Sequence, residues 1–265
     1  MPRIITIASG KGGVGKTTVT ANLGIALTRL GYHVCLVDAD VAMANLSLLL
    51  GMHSSPITLH DVLLGEASVN DAIYEGPEGV KFIPSGLSLE NYRRVDTERL
   101  GGIVQSIAPS FDYILLDAPA GIEKNVLSAL AAGEETLLVT QPTSASIADV
   151  LKIKITAQRL GSKPVGVVLN FVLHERGEVS EEEVSKMLEL PVLGIVPYDD
   201  EVRRSFMQEK VSPVVVRKPN CAASNAFSKA ALRVAGRAVE SVAAEKAGFI
   251  QSLLNSLRSL FGKSA

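Results

Sequence analysis

The sequence predicts an α/β fold, a mostly parallel β-sheet with helices on both faces. Apolar runs of strand length recur along the chain and read as continuous β-branched and leucine stretches, the pattern of strands covered on both sides. Between them lie segments with helical spacing, and strands that alternate with helices pair in parallel through right-handed crossovers. A glycine-rich turn between the first strand and the first helix places chemistry at the carboxyl ends of those strands.

The runs fall at 3–8 (RIITIA), 33–38 (HVCLVD), 80–84 (VKFIP), 112–117 (DYILLD), 136–141 (TLLVTQ), 165–170 (VGVVLN) and 192–197 (VLGIVP). Helical spacing covers 16–30, closed by Gly31, then 123–132 before Gly133 and 146–160 before Gly161. Ser180 with Glu183 forms a capping box that opens a helix over 180–189, and Glu181 to Glu183 form its solvated first turn. No linker, low-complexity tract or internal repeat interrupts the pattern. One domain is therefore expected over 1–243, with residues 244–265 a separate linker and amphipathic helix.

With 265 residues, 47% of them hydrophobic, the chain can bury a large core, and its net charge of -2 gives no bulk attraction to nucleic acid or an anionic bilayer. Any such contact has to come from a local patch. Cys35 and Cys221 are far apart, with no CxxC and no nearby histidine cluster, which argues against a disulfide framework or a zinc site and suits a reducing cytoplasm. The opening MPRIITIAS runs straight into the glycine turn, leaving no room for a secretion signal, and no run of about 18 apolar residues occurs.

Gly10, Lys11, Gly12, Gly13, Val14, Gly15, Lys16 and Thr17 fit G-x-x-x-x-G-K-[ST], after a predicted strand and opening a predicted helix that continues with Thr18. Glycines let backbone amides approach a polyphosphate, and the helix N-terminus adds a favourable field. Lys16 then neutralises phosphate oxygens and the Thr17 hydroxyl is placed to ligate Mg²⁺. Three aspartates close strands: Asp38 and Asp40 in VDADVAMANL, and Asp117 in LLDAPAG. Asp117, behind four apolar residues, reads as the carboxylate of the Mg²⁺ shell, with the Gly121 amide available for a γ-phosphate. Aspartates in such places also serve as caps and turn formers.

One lysine, Lys11, exceeds what a phosphate loop needs. It is either a solvent-facing loop charge or a cation aimed at another subunit's phosphates. The segment K-G-G-x-G-K-[ST] resembles the deviant Walker A loop of the ParA/MinD family of P-loop ATPases, and DAPAGIE and DADVAMANLSLLLGM are similar to its MinD branch. The resemblance covers nearly the whole chain and implies a single-domain P-loop NTPase fold that binds ATP and Mg²⁺ and hydrolyses ATP slowly. It further implies that Lys11 reaches the nucleotide of the opposite subunit in an ATP-dependent homodimer, that Asp40 orients the attacking water, and that Asp38 supports the metal shell. Asn170, otherwise readable as a turn residue, and Pro197 and Asp199 of VPYDDEVRRS match positions that contact adenine in relatives.

The chain departs from that pattern at Phe171, where relatives carry a basic residue, at Ala44 in place of an arginine, and at Gln141-Pro142-Thr143 in place of Asn-Pro-Glu. Asp149 matches a position near the family's dimer surface, although a plain capping role shared with Ser146 explains it equally well.

The tail GFIQSLLNSLRSLFGKSA places Phe249, Ile250, Leu253, Leu254, Leu257, Leu260 and Phe261 within an arc of about 140° on a helix. Such a helix either docks on the core or lies in a membrane interface, and Lys246, Arg258 and Lys263 suit the second. The family resemblance implies the same: reversible attachment to an anionic membrane surface, a protein regulator of hydrolysis and a division or positioning effector, in a cytoplasmic protein that visits the inner face of the cell membrane. A DNA-binding partition ATPase is the rival reading, with Arg203, Arg204, Arg217, Lys218 and Arg233 or Arg237 as its basic surface, and a positioner of flagellar or chemosensory machinery is the other alternative. An iron–sulfur carrier ATPase would need cysteines at a dimer seam, whereas Cys35 lies within an apolar strand.

Overall fold

The alternation of strand and helix is realised around one eight-stranded sheet in the computed structural model, which describes residues 2–43, 45–52, 55–86, 95–207 and 211–238. Strands β1 (Arg3–Ala8), β2 (Val34–Asp38), β3 (Tyr74–Glu75), β4 (Lys81–Ile83), β5 (Tyr113–Asp117), β6 (Glu135–Thr140), β7 (Lys163–Val172) and β8 (Val192–Pro197) lie in the order β3-β4-β2-β5-β1-β6-β7-β8. All neighbours pair in parallel except β3 with β4. The tail residues 249–261 and Ala44 lie outside the described residues.

The central strands are apolar throughout because each face has its own core. In β5, Ile114 and Leu116 join one cluster while Tyr113 and Leu115 join the other, the period-two alternation of a sheet covered on both sides. Helices α1 (Lys16–Arg29), α2 (Leu46–Leu49), α9 (Val214–Arg217) and α10 (Ala222–Val234) cover one face. On the other lie α3 (Leu59–Leu64), α4 (Leu100–Ile107), α5 (Lys124–Ala132), α6 (Ser144–Arg159) and α7 (Glu181–Leu188). A short helix, α8 (Asp200–Ser205), follows β8.

The predicted capping box of α7 is present, with the Glu183 amide donating to Ser180 Oγ and the Ser180 amide donating to Glu183. At α6 the cap differs from the expectation. Thr143 is the N-cap and accepts from the Ser146 amide, so the helix starts earlier than 146 and Asp149 lies within it, ion-paired to Lys152 at 3.3 Å.

The glycine turn after β1 sits against this helix. A Cβ on Gly10 would come within 2.4 Å of the Asp149 backbone, whereas one on Gly12 would meet nothing closer than Ala120 Cβ at 4.0 Å. Gly10 is thus required by close packing on a rigid helix and not by its dihedral angles. At the far end of the strands Arg3 binds Glu135 at 2.5 Å and donates to the Val234 carbonyl, tying the end of α10 to the start of the sheet.

Asp199 joins α8 to α10. Its Oδ1 accepts the Glu201 amide at 2.9 Å and its Oδ2 the Ala223 amide at 3.1 Å. Burial raises the pKa of this carboxyl, but the two amides, the Cys221 thiol and the Arg217 charge together hold it below the ordinary 3.8.

Two stability predictions follow from this packing. Gly10→Ala should cost roughly 1–3 kcal/mol by urea unfolding, the usual range for overpacking, with Gly12→Ala near neutral. Asp199→Ala, which leaves two amides unpaired, should cost about 1–3 kcal/mol near neutral pH. A depressed carboxylate stabilises above its unfolded pKa, so the gap in melting temperature between wild type and Asp199→Ala should be full above about pH 5 and close as pH falls below 3.8. A gap that stays constant through acid would mean that Asp199 acts only by packing.

Candidate functional site

The carboxyl ends of β1, β2 and β5 lie side by side, because β5 sits between the other two and Asp38 is in register with Asp117. Two carboxylates are therefore buried as neighbours, at 0% and 2% exposure. Burial and the charge of Asp117 push Asp38 well above the ordinary carboxylate range, against amide hydrogen bonds from Leu46 and Asp40. Burial also pushes Asp117 up, to about 6, although the Thr17 hydroxyl, the Lys16 charge and the Thr20 hydroxyl draw it down. Such a pair calls for positive charge beside it.

Each carboxylate has a distinct local task. Asp117 Oδ1 accepts from Thr20 Oγ1 at 3.0 Å. Asp38 accepts from the Asp40 amide at 3.2 Å through Oδ1 and from the Leu46 amide at 3.1 Å through Oδ2, so it braces the loop between β2 and α2. Asp40 accepts the Met43 amide at 3.0 Å in the same loop. Thr20 was not foreseen; it stands one helical step beyond Thr17 on α1, a spacing that puts the two hydroxyls on one face.

A hydroxyl beside a carboxylate suits a hard cation with oxygen ligands. Among the described residues no three His, Cys, Asp or Glu side chains gather to hold a metal. Thr17 and Asp117, with Asp38 behind, fit a Mg²⁺ that takes its remaining ligands from phosphate and water, the usual arrangement for this ion.

The loop itself is built for close approach. Gly13 and Gly15 have φ of 78° and 90°, a region that favours glycine, and a Cβ on Gly15 would fall 2.2 Å from Asn170 Nδ2. Asn170 donates that Nδ2 to the Val14 carbonyl at 2.9 Å and so anchors the loop from β7. Gly121 departs from expectation. Its amide, expected to be available for a γ-phosphate, donates to the Ser9 carbonyl at 3.4 Å, a long bond that phosphate binding would have to break. Lys11 is exposed and forms no ion pair with a described residue.

The expected base-contact residues come together. Asn170, Pro197 and Asp199 line one cavity of about 220 Å³ with Thr18, Phe171, Tyr198, Val202, Arg203 and Phe206. Asn170 lies inside β7, two residues short of its end, and not at the strand terminus that the sequence suggested. The Asp199 carboxylate is committed to Glu201 and Ala223, so its part here is to fix the cavity wall. A larger cavity, about 380 Å³ between Pro142 and the segment around Glu178, contains no phosphate-loop residue.

Residues 5–212 match the family model described as the CobQ/CobB/MinD/ParA nucleotide binding domain. An ATP-binding protein of Methanocaldococcus jannaschii is 41% identical over 260 residues, covering 98% of this chain and 97% of that one. The cell division ATPase MinD of Pyrococcus furiosus superposes with a TM-score of 0.85 at 40% identity, covering 89% of this chain and 99% of that one. The septum site-determining protein MinD of Pyrococcus horikoshii, solved with Mg-ADP, gives 0.84 at 39% identity over 88% and 96% of the two chains. A phosphate loop closed over a buried aspartate pair, matched along nearly its whole length by these proteins, makes this chain a member of the CobQ/CobB/MinD/ParA nucleotide-binding family, on its MinD branch.

Proposed function

We propose that the protein is a Mg²⁺-dependent ATPase that dimerises on ATP, attaches reversibly to membrane and helps to place the cell division site. The observation that carries the reading is Lys11, exposed at the start of a loop whose other lysine, Lys16, already lies beside Asp117. A cation so placed is available to the phosphates of a second copy. Exposed Met43 and Ile122, at 68% and 60%, flank the two acidic loops with apolar surface that a partner subunit would cover.

In the proposed site the amides of Gly10 to Thr18 and the Lys16 charge would cradle the phosphates, and Thr17 and Asp117 would hold a Mg²⁺ whose charge offsets that of the phosphates. Asp40 positions water, and without a strong base turnover is slow. Asn170 has its amide nitrogen bonded to the Val14 carbonyl, which leaves its own carbonyl oxygen to accept from a donor on the base edge, such as the adenine 6-amino group.

The last described helix ends at Val234, whose carbonyl is held by Arg3 at the strand starts, whereas the phosphate loop is at the strand ends. In this reading the tail residues Phe249, Ile250, Leu253, Leu254, Leu257, Leu260 and Phe261 respond to nucleotide through dimerisation. One short helix binds lipid marginally, and two joined copies gain roughly 10² or more in avidity. Partners of this cycle are a regulator of hydrolysis and a division effector, with the protein shuttling between cytoplasm and the inner membrane face. The DNA-binding reading is weaker, because Arg203, Arg204 and Arg217 are ion-paired to Asp200 and Glu201 at 3.3, 3.2 and 2.5 Å.

Co-sedimentation of the full chain with anionic liposomes and with duplex DNA, each with ATP or ADP, tests this directly. Lipid binding with ATP alone is expected, and DNA binding without lipid binding would refute the membrane reading. Lys11→Ala should abolish ATP-dependent dimerisation in sedimentation velocity, and a dimer that persists would remove the role given to Lys11. Asp40→Ala should give a long-lived ATP dimer, and deletion of 246–265 should abolish lipid binding with ATP hydrolysis intact.

A further inference from the structure

The strand β7 breaks its pairing with β8 between Leu169 and Val172, so Asn170 and Phe171 fall outside the regular ladder. Phe171 has a φ of 58°, in the left-handed region that a bulky side chain enters only when its surroundings force it. Backbone held in such a state within an irregular strand is a pointer to function. The cost recurs at none of the other residues of β7.

What this conformation achieves is the placement of a ring. Phe171 lines the cavity of about 220 Å³ beside Asn170, and its Cε2 would lie 3.5 Å from a Cβ on Gly15, so the ring rests against the junction of phosphate loop and α1. Tyr198 faces it with ring centroids 6.4 Å apart and planes inclined by 36°. Tyr198 and Phe206 are left 46% and 49% exposed around the same cavity. A cleft walled by three aromatic side chains, opening next to a phosphate loop, fits a flat π-system attached to a polyphosphate.

We infer that Phe171 is a base-stacking residue, held over the nucleotide cavity by its left-handed backbone, and that this chain binds the base of its nucleotide chiefly through aromatic contact. The inference rests on the nucleotide-binding reading above and adds to it the residue that fixes the base. The polar side chains nearby leave little for the base: the amide nitrogen of Asn170 is bonded to Val14 and the Asp199 carboxylate to Glu201 and Ala223, so that the Asn170 carbonyl oxygen is left to accept from the base edge. Stacking is consequently the larger share of base affinity, and loss of one base–aromatic contact usually weakens binding by about tenfold.

The test is calorimetric titration of the full-length protein with Mg-ATP and, separately, with Mg-tripolyphosphate, which has the phosphates and no base. Phe171→Ala should raise the Kd for ATP about tenfold while leaving that for tripolyphosphate unchanged. Phe171→Gly, which relieves the backbone and removes the ring, should bind ATP as weakly as Phe171→Ala, and Phe171→Tyr should restore affinity. ATP affinity within about twofold of wild type in Phe171→Ala would overturn the inference. So would equal weakening toward both ligands, which would make Phe171 a support of the loop. A wild-type protein that binds neither ligand would instead sink the nucleotide reading itself.

Discussion

Two carboxylates buried side by side at the ends of neighbouring parallel strands are the constraint on which the site depends. Asp38 and Asp117 are brought into register by the pairing of β2 with β5, and both are pushed up in pKa by burial. A metal-free protein tolerates them through hydroxyl and amide hydrogen bonds and the charge of Lys16. Those neighbours are supplied by the start of α1 and the loop before α2, so the electrostatic need of the pair dictates what can stand at both places. It also explains why the site favours a divalent cation brought in with phosphate: each added positive charge relieves a cost that the fold has already incurred.

The second organising contact is the hydrogen bond from Asn170 to the Val14 carbonyl. It links β7, on one side of β1 in the sheet order, to a loop whose acidic partners come from strands on the other side. The cavity beside Asn170 and the phosphate loop are thereby in direct contact, since Asn170 and Phe171 together bear on the Gly15 backbone. The register break in β7 is what allows two consecutive residues to face this task. A regular strand would have sent one of them to the opposite face.

The sheet was legible because its strands are buried on both sides and so appear as uninterrupted apolar runs, as in YILLD and VCLVD. The antiparallel β3 was not, being two residues long, and α4 was hidden by Gly101 and Gly102 in LGGIVQSI. At the site, the glycine loop, Lys16, Thr17 and Asp117 are read from spacing and context, whereas the parts given to Asp38 and Asp40 come from the family resemblance. Thr143 as a cap was overlooked because Ser146 offers the same chemistry three residues later. The resemblance gives Asp199 a contact to adenine by its side chain or through the backbone around it; that its oxygens accept backbone amides at the starts of two helices is a tertiary fact with no local signature. Phe171 was visible only as a departure from relatives; its left-handed backbone and its neighbours Tyr198 and Phe206 required the structure.

The geometry also limits how nucleotide can govern the tail. Arg3, Glu135 and Val234 fasten the end of α10 at the strand starts, with the full depth of a packed sheet between them and the phosphate loop. Coupling across a packed core is carried by elements that have two discrete arrangements to choose between. The loops carrying Met43 and Ile122 are at the phosphate-loop end, where apolar surface is exposed, and in the proposed function that surface passes between solvent and a second subunit. In the proposed cycle, therefore, the state that changes is the number of copies held together. Linkage then requires reciprocity: if dimerisation on ATP strengthens membrane attachment, attachment must strengthen ATP-dependent dimerisation by the same free energy. In that cycle hydrolysis leaves the equality intact but removes the phosphate that would hold the two subunits, so that each tail is left with only its own marginal affinity.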